Sequence, residues 1–387
     1  MKATLFTNLG LILLLVAAVF PATASAQTFS VLYSFKGTPD GNRAVSGLIL
    51  DEKGTLYGTT VRGGTGPCHR GCGTVFELLR SGKERVLYSF AGVPIGDGVL
   101  PRAGLVRDAV GNLYGTTSDG GLFTGTVFKV SPTGTETVLY TFASGTDAAD
   151  PKGTLLLDAK GNLYGTSIFG GTYNYGTVFQ VSPSGVETIL YNFTGSLDGG
   201  SPSAGLIQDE EGNFYGTTGN GGDYGPGTVF KLTPDGVETT LYSFDGFGLG
   251  GNPASTLVRD AEGNLYGTTV WGGGPGYGTV FELRSAGEFT ILYEFKGGSD
   301  GMNPVAGVIR DEAGNLYGTT KNGGDSGRGN VFRLSSGGTL KILHQFAGGT
   351  DGAHPVGGVI RDAKGNLFGA TARGGTYGRG TIFKISP

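Results

Sequence analysis

Few of the residues and motifs that carry enzyme chemistry occur in this sequence. The 387 residues include only three histidines and contain no H-E-x-x-H or P-loop motif. These absences exclude the zinc peptidases and nucleotidases that depend on such motifs. Asp351 and His354 are the remaining candidates for acid–base catalysis, although their spacing also fits an ordinary polar turn. We therefore favour a protein without catalytic activity and keep an enzyme as the alternative.

Charge of one sign is not concentrated anywhere along the chain. The sequence has 28 basic and 32 acidic residues, and the basic residues form no run or patch. We therefore expect no nucleic-acid partner. After the first residues, no apolar run approaches the length of a membrane span, so we expect no membrane insertion of the mature chain.

The N-terminus has the features of a secretory signal peptide. Lys2 precedes an apolar run from Leu9 to Phe20, and Ala24 and Ala26 supply the small-x-small cleavage pattern. This run is short for a membrane span, although an uncleaved anchor is the alternative. The sequence predicts a signal peptide over 1–26, a mature chain over 27–387, and export to the periplasm, the medium or the cell surface.

The chain has only two cysteines, Cys68 and Cys72, which lie in one loop. An exported protein meets oxidising conditions, so this pair predicts a local disulfide, with free thiols as the alternative. A zinc site would also need His69, but three ligands crowded into five residues make a poor tetrahedral site. We therefore expect no metal in this loop.

Glycine, in contrast, is abundant, and its 77 copies recur at fixed positions. Segments that resemble LYGTT, GTVF and LYxF each occur seven times, and the copies of LYGTT have a spacing of 50 or 51 residues after a first gap of 57. Each copy holds four runs that are rich in β-branched and aromatic residues and bounded by turn formers. The aromatic residues of the first segment are Tyr57, Tyr114, Tyr164, Tyr215, Tyr266, Tyr317 and Phe368. A unit of this size is typical of a propeller blade.

The two ends of the mature chain complement each other. It begins with a fourth run, Phe29 to Phe35, and finishes with a third run, Thr381 to Ile385. The first segment can therefore complete the last blade and cover both open edges. We predict an all-β fold, a seven-bladed β-propeller of four-stranded antiparallel blades, whose ring is closed by the N-terminal strand. An open array or another number of blades is the alternative, and we expect a monomer.

The repeated unit D-x-x-G-N-L-Y-G-T-T, followed by G-G, G-T-V-F and L-Y-x-F, is also informative. It resembles the GloVer tandem repeat of the bacterial "choice-of-anchor" extracellular repeat proteins. The resemblance covers the whole mature chain. It implies a secreted or surface-displayed repeat protein and implies no particular reaction.

The long loops join the second run to the third, and the fourth run to the next blade. In a propeller these loops share one rim, where we expect a ligand site. The residue before each Gly-Gly varies between charged, amide and aromatic types within a constant frame. These residues are Arg62, Asp119, Phe169, Asn220, Trp271, Asn322 and Arg373. We interpret them as a binding rim with stacking rings and anion-pairing arginines; drift of exposed positions is the alternative.

Aspartate recurs in the loop between blades. The copies are Asp40, Asp97, Asp147, Asp198, Asp300 and Asp351. They suit either turn formation, which we favour, or a calcium ion or sugar hydroxyls. We therefore expect no cofactor, with Ca²⁺ as the open alternative.

Taken together, these features favour a secreted repeat protein that binds an extracellular glycan, peptide, protein or surface component. One alternative is an extracellular polysaccharide hydrolase or lyase that uses rim carboxylates. Another is a purely structural surface protein. An enzyme needs acidic or histidine groups that break the repeat and converge on one pocket, whereas a binding protein needs only an irregular rim.

Overall fold

A computed structural model describes residues 27–92, 96–122, 124–143 and 145–387. The predicted signal peptide over 1–26 lies outside the described residues. Seven antiparallel sheets, each with a path of four strands, form the blades of a propeller. The sole helical element of the described residues is the 3₁₀ turn Gly349–Asp351. The predicted fold class is therefore confirmed.

We number the blades 1 to 7 from the strand at Ile49, and each blade runs outward from its first strand. The first strands are Ile49–Leu50, Val106–Arg107, Leu156–Leu157, Ile207–Gln208, Val258–Arg259, Ile309–Arg310 and Ile360–Arg361. The second strands are Leu56–Thr60, Leu113–Thr117, Leu163–Gly170, Phe214–Thr218, Leu265–Thr269, Leu316–Thr320 and Leu367–Thr371. The third strands are Thr74–Leu78, Thr126–Val130, Thr177–Val181, Thr228–Leu232, Thr279–Leu283, Asn330–Leu334 and Thr381–Ser386. The fourth strands are Glu84–Ser89, Glu136–Thr141, Glu187–Asn192, Glu238–Ser243, Phe289–Glu294, Leu340–Gln345 and, for blade 7, Thr28–Ser34.

The loop that enters each blade first pairs with the residues at the end of that blade's second strand, and then continues into the blade's first strand. Gly41–Asn42 pairs with Arg62–Gly63 in blade 1, and Ala148–Pro151 pairs with the end of Leu163–Gly170 in blade 3. Single bridges stand at the same place in the other five blades. The long loops therefore continue each sheet to what we call the long-loop rim, and the tight turns form the opposite, short-turn rim.

A pair of phenylalanines packs each blade against the next. The phenylalanine after each fourth strand lies edge-on to the third-strand phenylalanine of the following blade, with ring centroids 5.0–5.4 Å apart. The pairs are Phe35–Phe76, Phe90–Phe128, Phe142–Phe179, Phe193–Phe230, Phe244–Phe281, Phe295–Phe332 and Phe346–Phe383. All of these rings are buried. Such a pair contributes about 0.5–1.5 kcal/mol beyond its buried area.

The glycine at the centre of each second strand makes room for the third-strand phenylalanine. At Gly58, a side-chain Cβ would stand 2.8 Å from the ring of Phe76, and at Gly369 it would stand 2.5 Å from the ring of Phe383. Real Cβ atoms do not approach this closely. The LYGTT pattern therefore follows from the packing between blades.

The N-terminal strand closes the ring, as predicted. Thr28–Ser34 pairs antiparallel with Thr381–Ser386 and completes blade 7. Phe35 then packs on Phe76 of blade 1. Phe29 stacks on His344 of blade 6, with ring centroids 3.5 Å apart. The first strand thus contacts the blades on both sides of its own.

Aspartates order the turns of the short-turn rim. Asp108 accepts hydrogen bonds from the backbone N–H of Val110 and Asn112, at 3.1 and 2.8 Å, and from the hydroxyl of Tyr114 at 3.0 Å. Burial acts to raise the pKa of Asp108, but the bonds from Asn112 and Tyr114 outweigh it and hold this pKa below its usual value. The carboxylate is therefore a structural part of the turn.

Four of the seams between blades hold a half-buried glutamate. In one of them, the Tyr140 hydroxyl lies 3.0 Å from Asp147 and 3.5 Å from Glu187 of the next blade. The equivalent glutamates are Glu84, Glu136, Glu187 and Glu238. Burial, followed by the charge of the neighbouring aspartate, raises the pKa of Glu84 and of Glu136 to about 7. Burial and the contact with Asp147 also raise the pKa of Glu187.

Removal of residues 27–37 tests the closure of the ring. We expect the free energy of unfolding to fall by at least about 3–5 kcal/mol, because the buried Phe35 and the partly buried Phe29 are lost together with the last strand pairing. Denaturant unfolding measures this loss. A circular permutant that carries residues 27–37 after Pro387, joined by a short turn, is the control and should recover the stability. A truncated chain that unfolds like the intact one would show that this strand does not hold the ring together.

The seam glutamates predict a loss of stability at high pH. Because their pKa lies near 7 in the folded protein and near 4.5 ordinarily, the folded state keeps protons that the unfolded state has lost. Their stabilising contribution is full below about pH 4.5 and is lost as the pH rises through about 7. The fall in Tm between pH 5 and pH 8.5 should therefore be smaller in the double variant Glu84→Gln, Glu136→Gln.

The exposed pair Glu210→Gln, Glu262→Gln is the matched control for this experiment. It removes the same number of carboxyl groups without touching a seam, and its Tm should follow the wild-type pH profile. Parallel profiles for the seam variant and the wild type would contradict the assignment.

Candidate functional site

The loops between blades meet around the channel at the long-loop rim. A cavity of about 590 Å³ lies there, and residues that precede six of the first strands line it. These residues are Val45, Arg102, Lys152, Ser203, Val305 and Val356. Because one cavity touches six blades, it occupies the mouth of the central channel.

A ring of left-handed backbone surrounds this mouth. One residue per blade has a φ between 52° and 63°, although none of them is glycine. The seven residues are Arg43, Leu100, Asp150, Ser201, Asn252, Asn303 and His354. Each donates its backbone N–H to a carbonyl in the long loop of the preceding blade at 2.7–2.9 Å. These hydrogen bonds hold a conformation that costs about 1–3 kcal/mol per residue. Two of the seven residues, Arg43 and His354, line the cavity at the channel mouth.

The seven residues of the predicted binding rim lie at one structural position. Six of them follow the second strand and Phe169 lies in its last part, and each pairs with the loop between blades, as Asp119 pairs with Val99 and Arg373 with Ala353. Trp271 and Phe169 are 47% and 48% exposed, so their rings are available to a ligand. The structure therefore places the predicted residues on one rim.

Cationic and aromatic side chains are concentrated in different parts of this rim. Blades 6, 7, 1 and 2 carry a cationic arc, which consists of Arg43, Arg62, Arg70, Arg102, Lys321, Arg328, Arg373 and Arg379 and is interrupted by Asp119 and Asp325. Blades 3 to 5 carry an aromatic arc of exposed rings, which includes Phe169, Tyr173, Tyr224 and Trp271, whereas Tyr377 is an exposed ring within the cationic arc. The expectation that the chain has no basic patch is wrong in three dimensions, because folding gathers separate segments.

The pKa values reflect this concentration of positive charge. Burial, followed by the charges of Arg102 and Arg373, lowers the pKa of the Arg43 guanidinium. Burial is also the main reason why the pKa of His354 is lowered, and the hydrogen bond to the carbonyl of Lys321 opposes it. Burial therefore favours the neutral form of His354.

The two candidate catalytic residues are not joined by a hydrogen bond. Asp351 lies 2.9 Å from Nε2 of His344 and also accepts the N–H of Ala347 at 2.6 Å. Nδ1 of His354 lies 3.1 Å from the carbonyl of Lys321. Asp351 thus has the structural role that it shares with the other loop aspartates, and an acid–base pair with His354 is not formed.

The aspartates between blades are likewise used by the fold. Asp40 accepts hydrogen bonds from the Tyr33 hydroxyl at 2.9 Å and from the N–H of Lys36 at 2.8 Å, and the copies in blades 2, 3, 4, 6 and 7 make equivalent contacts. Within the described residues, no three or more His, Cys, Asp or Glu side chains cluster in a way that could hold a metal. The calcium alternative therefore gains no ligand set from these aspartates.

A disulfide shapes one loop of the cationic arc. Cys68 and Cys72 are bonded to each other, so the zinc and free-thiol alternatives do not apply to this structure. Arg62 donates a hydrogen bond of 2.7 Å to the carbonyl of His69 inside the bridged loop. Arg70 lies in the same loop with a φ of 67°. The bridge therefore helps to position two arginines.

Solved structures share this architecture. An extracellular domain assigned to the one component system BT4673 of B. thetaiotaomicron has a TM-score of 0.59 at 16% identity, over 93% of this chain and 42% of that chain. An extracellular domain assigned to the hybrid two component system BT4673 has a TM-score of 0.56 at 12% identity, over 90% of this chain and 39% of that chain. A structural genomics protein of unknown function from the same species has a TM-score of 0.51 at 15% identity, over 93% and 76%. These identities show the fold alone.

Within the described part of the chain, no helix has the length and apolarity needed to cross a membrane. No curated protein matches the sequence. The Gloeobacter/Verrucomicrobia repeat matches residues 16–218, 70–262 and 205–387, which together include the whole propeller. The resemblance carried by the repeated unit is thereby confirmed, and this chain belongs to the Gloeobacter/Verrucomicrobia repeat family.

Proposed function

We propose that this protein is an exported binding protein that holds an acidic extracellular glycan on its long-loop rim. The observation that carries the proposal is the division of that rim into a cationic arc and an aromatic arc. The rim faces the channel mouth, where loops from six blades meet in one cavity. Concave sites of this kind are common places for ligands.

The contrast between frame and rim supports binding over a purely structural role. The phenylalanine pairs and the left-handed ring repeat in all seven blades, whereas the rim side chains differ from blade to blade. Random sequence variation at exposed positions would not concentrate the cationic residues in neighbouring blades. Clustered like charges repel one another, so a scaffold gains nothing by keeping them together.

The two arcs together fit an acidic carbohydrate. The exposed rings of Trp271 and Phe169 offer flat apolar faces to sugar rings. Guanidinium groups such as those of Arg62 and Arg373 form paired hydrogen bonds with anionic groups. An acidic glycan uses both kinds of contact, whereas a neutral glycan would leave the cations unused.

The hydrolase or lyase alternative has less support. Its acid–base pair is missing, because Asp351 bonds to His344 and His354 contacts Lys321 and Asn322. The remaining loop aspartates are held by tyrosine hydroxyls and backbone N–H groups. No carboxylate lines the cavity at the channel mouth.

Export is part of the same proposal. The sequence pattern over 1–26 supports it, and so do the disulfide and the extracellular domains of similar fold. A monomer remains the prediction for its state in solution.

Replacement of the two exposed rings tests the proposal. The double variant Trp271→Asn, Phe169→Asn introduces the residue that blades 4 and 6 carry at this position, namely Asn220 and Asn322. We expect its affinity for the acidic glycans retained by the wild type to fall about tenfold or more, because two stacking contacts are lost. An array of acidic and neutral glycans measures this, and Tm should not change.

The pair Val186→Thr, Val237→Thr is the matched control. It removes exposed apolar side chains from the short-turn rim and introduces the residue found in the equivalent turns, Thr135 and Thr339. This control should bind like the wild type. If the wild type retains no acidic glycan, or if the aromatic variant binds equally well, the proposed function is wrong.

A further inference from the structure

One small cavity in the cationic arc is lined by five arginines. Blade 1 contributes Arg43, Arg62 and Arg70, and blade 7 contributes Arg373 and Arg379. An asparagine, an alanine and a glycine complete the lining, and its volume is about 190 Å³. We call this cavity the arginine pocket. It holds a third of the 15 arginines of the sequence, because ring closure brings the two ends of the chain together.

The positive charges of the arginine pocket have no carboxylate partner. The described residues include every aspartate and glutamate of the sequence, and none of these carboxylates lies within 4.0 Å of the five guanidinium groups. The nearby Asp40 is buried and turned to Tyr33 and Lys36. Within the described residues, the bond from Arg62 to the carbonyl of His69 is the one hydrogen bond that these side chains make to protein.

The repeat does not require these arginines. The positions equivalent to Arg43 carry Leu100, Asp150, Ser201, Asn252, Asn303 and His354, all in the same backbone conformation. The positions equivalent to Arg62 and Arg373 carry Asp119, Phe169, Asn220, Trp271 and Asn322. The fold therefore accepts uncharged residues at these sites, and yet repulsive cations are kept together where blades 7 and 1 meet.

We propose that the arginine pocket binds a single tetrahedral oxyanion, a sulfate or phosphate monoester group carried by the extracellular glycan. A carboxylate has two oxygens in one plane, which one guanidinium can satisfy with two parallel hydrogen bonds. A tetrahedral oxyanion offers oxygens in several directions and can accept from guanidinium groups that converge from two blades. At about 190 Å³ against about 590 Å³ for the cavity at the channel mouth, the arginine pocket is the smaller of the two and suits one anionic group.

The arginine pocket opens towards the site of the proposed function. Arg43 and Arg373 line both this pocket and the larger cavity at the channel mouth. A glycan in the mouth can thus place an ester group among the five arginines. This inference rests on the proposed function for the source of the anion, but the binding of the anion itself can be measured separately.

The first test uses small anions. Calorimetry with sodium sulfate, sodium phosphate and sodium acetate at constant ionic strength compares the wild type with the variant Arg43→Asn, Arg373→Asn. Asparagine occupies the same positions in other blades, so the fold should persist. We expect the wild type to bind sulfate and phosphate more tightly than acetate, and the variant to bind both on the order of 100-fold more weakly.

Two further variants make this test specific. Arg107→Gln, Arg259→Gln removes two charges from the short-turn rim, introduces the residue found at Gln208, and should bind sulfate like the wild type. If the double pocket variant does not fold, Arg373→Asn alone leaves the left-handed residue intact and should still weaken binding at least tenfold. Equal sulfate affinity in the wild type and the pocket variants, or acetate binding as tight as sulfate binding, would overturn the inference.

The second test identifies the source of the anion. A sulfated oligosaccharide, its desulfated form, a phosphorylated oligosaccharide and a DNA oligonucleotide are titrated into the wild type and the pocket variant. We expect the sulfated or the phosphorylated sugar to bind at least tenfold more tightly than the desulfated form, and this preference to disappear in the variant. Preference for DNA over both sugars would overturn the assignment to a glycan. If the protein binds sulfate but retains no glycan, the proposed function is wrong and the anion site stands. If it retains sulfated and desulfated glycans with equal affinity, the anion site is wrong and the proposed function stands.

Discussion

The edge-to-face contact between the phenylalanine after each fourth strand and the third-strand phenylalanine of the next blade sets the spacing of the whole ring. It repeats seven times with nearly constant geometry. The contact needs a glycine such as Gly58 under the ring, because any side chain there would collide with it. The same contact explains why the N-terminal strand belongs to blade 7, since Phe35 supplies the partner that Phe76 would otherwise lack.

Because backbone hydrogen bonds and buried side chains hold the blades together, the side chains of the long-loop rim can vary. The left-handed residues take the same conformation whether the side chain is that of Leu100, Asp150 or Arg43, because backbone hydrogen bonds to the preceding blade hold it. The chemistry of the rim can therefore change from blade to blade without loss of the fold. This independence is what allows one part of the rim to collect cations and another to expose aromatic rings.

The seams between blades show that repetition does not make every contact equal. At four seams a half-buried glutamate lies near the tyrosine and aspartate of the preceding blade. At the other three seams an apolar side chain takes its place: Phe289 stacks on Tyr242 at 4.0 Å, Phe29 stacks on His344 at 3.5 Å, and Leu340 packs at the third. The glutamate seams carry a carboxyl group whose pKa is raised, whereas the seam at Phe29 holds His344, whose pKa is lowered by burial.

The sequence alone determined the number of blades, the order of strands and the closure of the ring, because these follow from short segments repeated at a regular spacing. It also identified the rim positions, since their variation stands out against a constant frame. The left-handed ring was hidden by the different residue types that occupy it. The link between Asp351 and His344, rather than His354, depended on how a strand and a loop pack. The arginine pocket depended on ring closure, which brings Arg43 beside Arg373. The spacing of residues along the sequence does not predict a contact between residues so far apart.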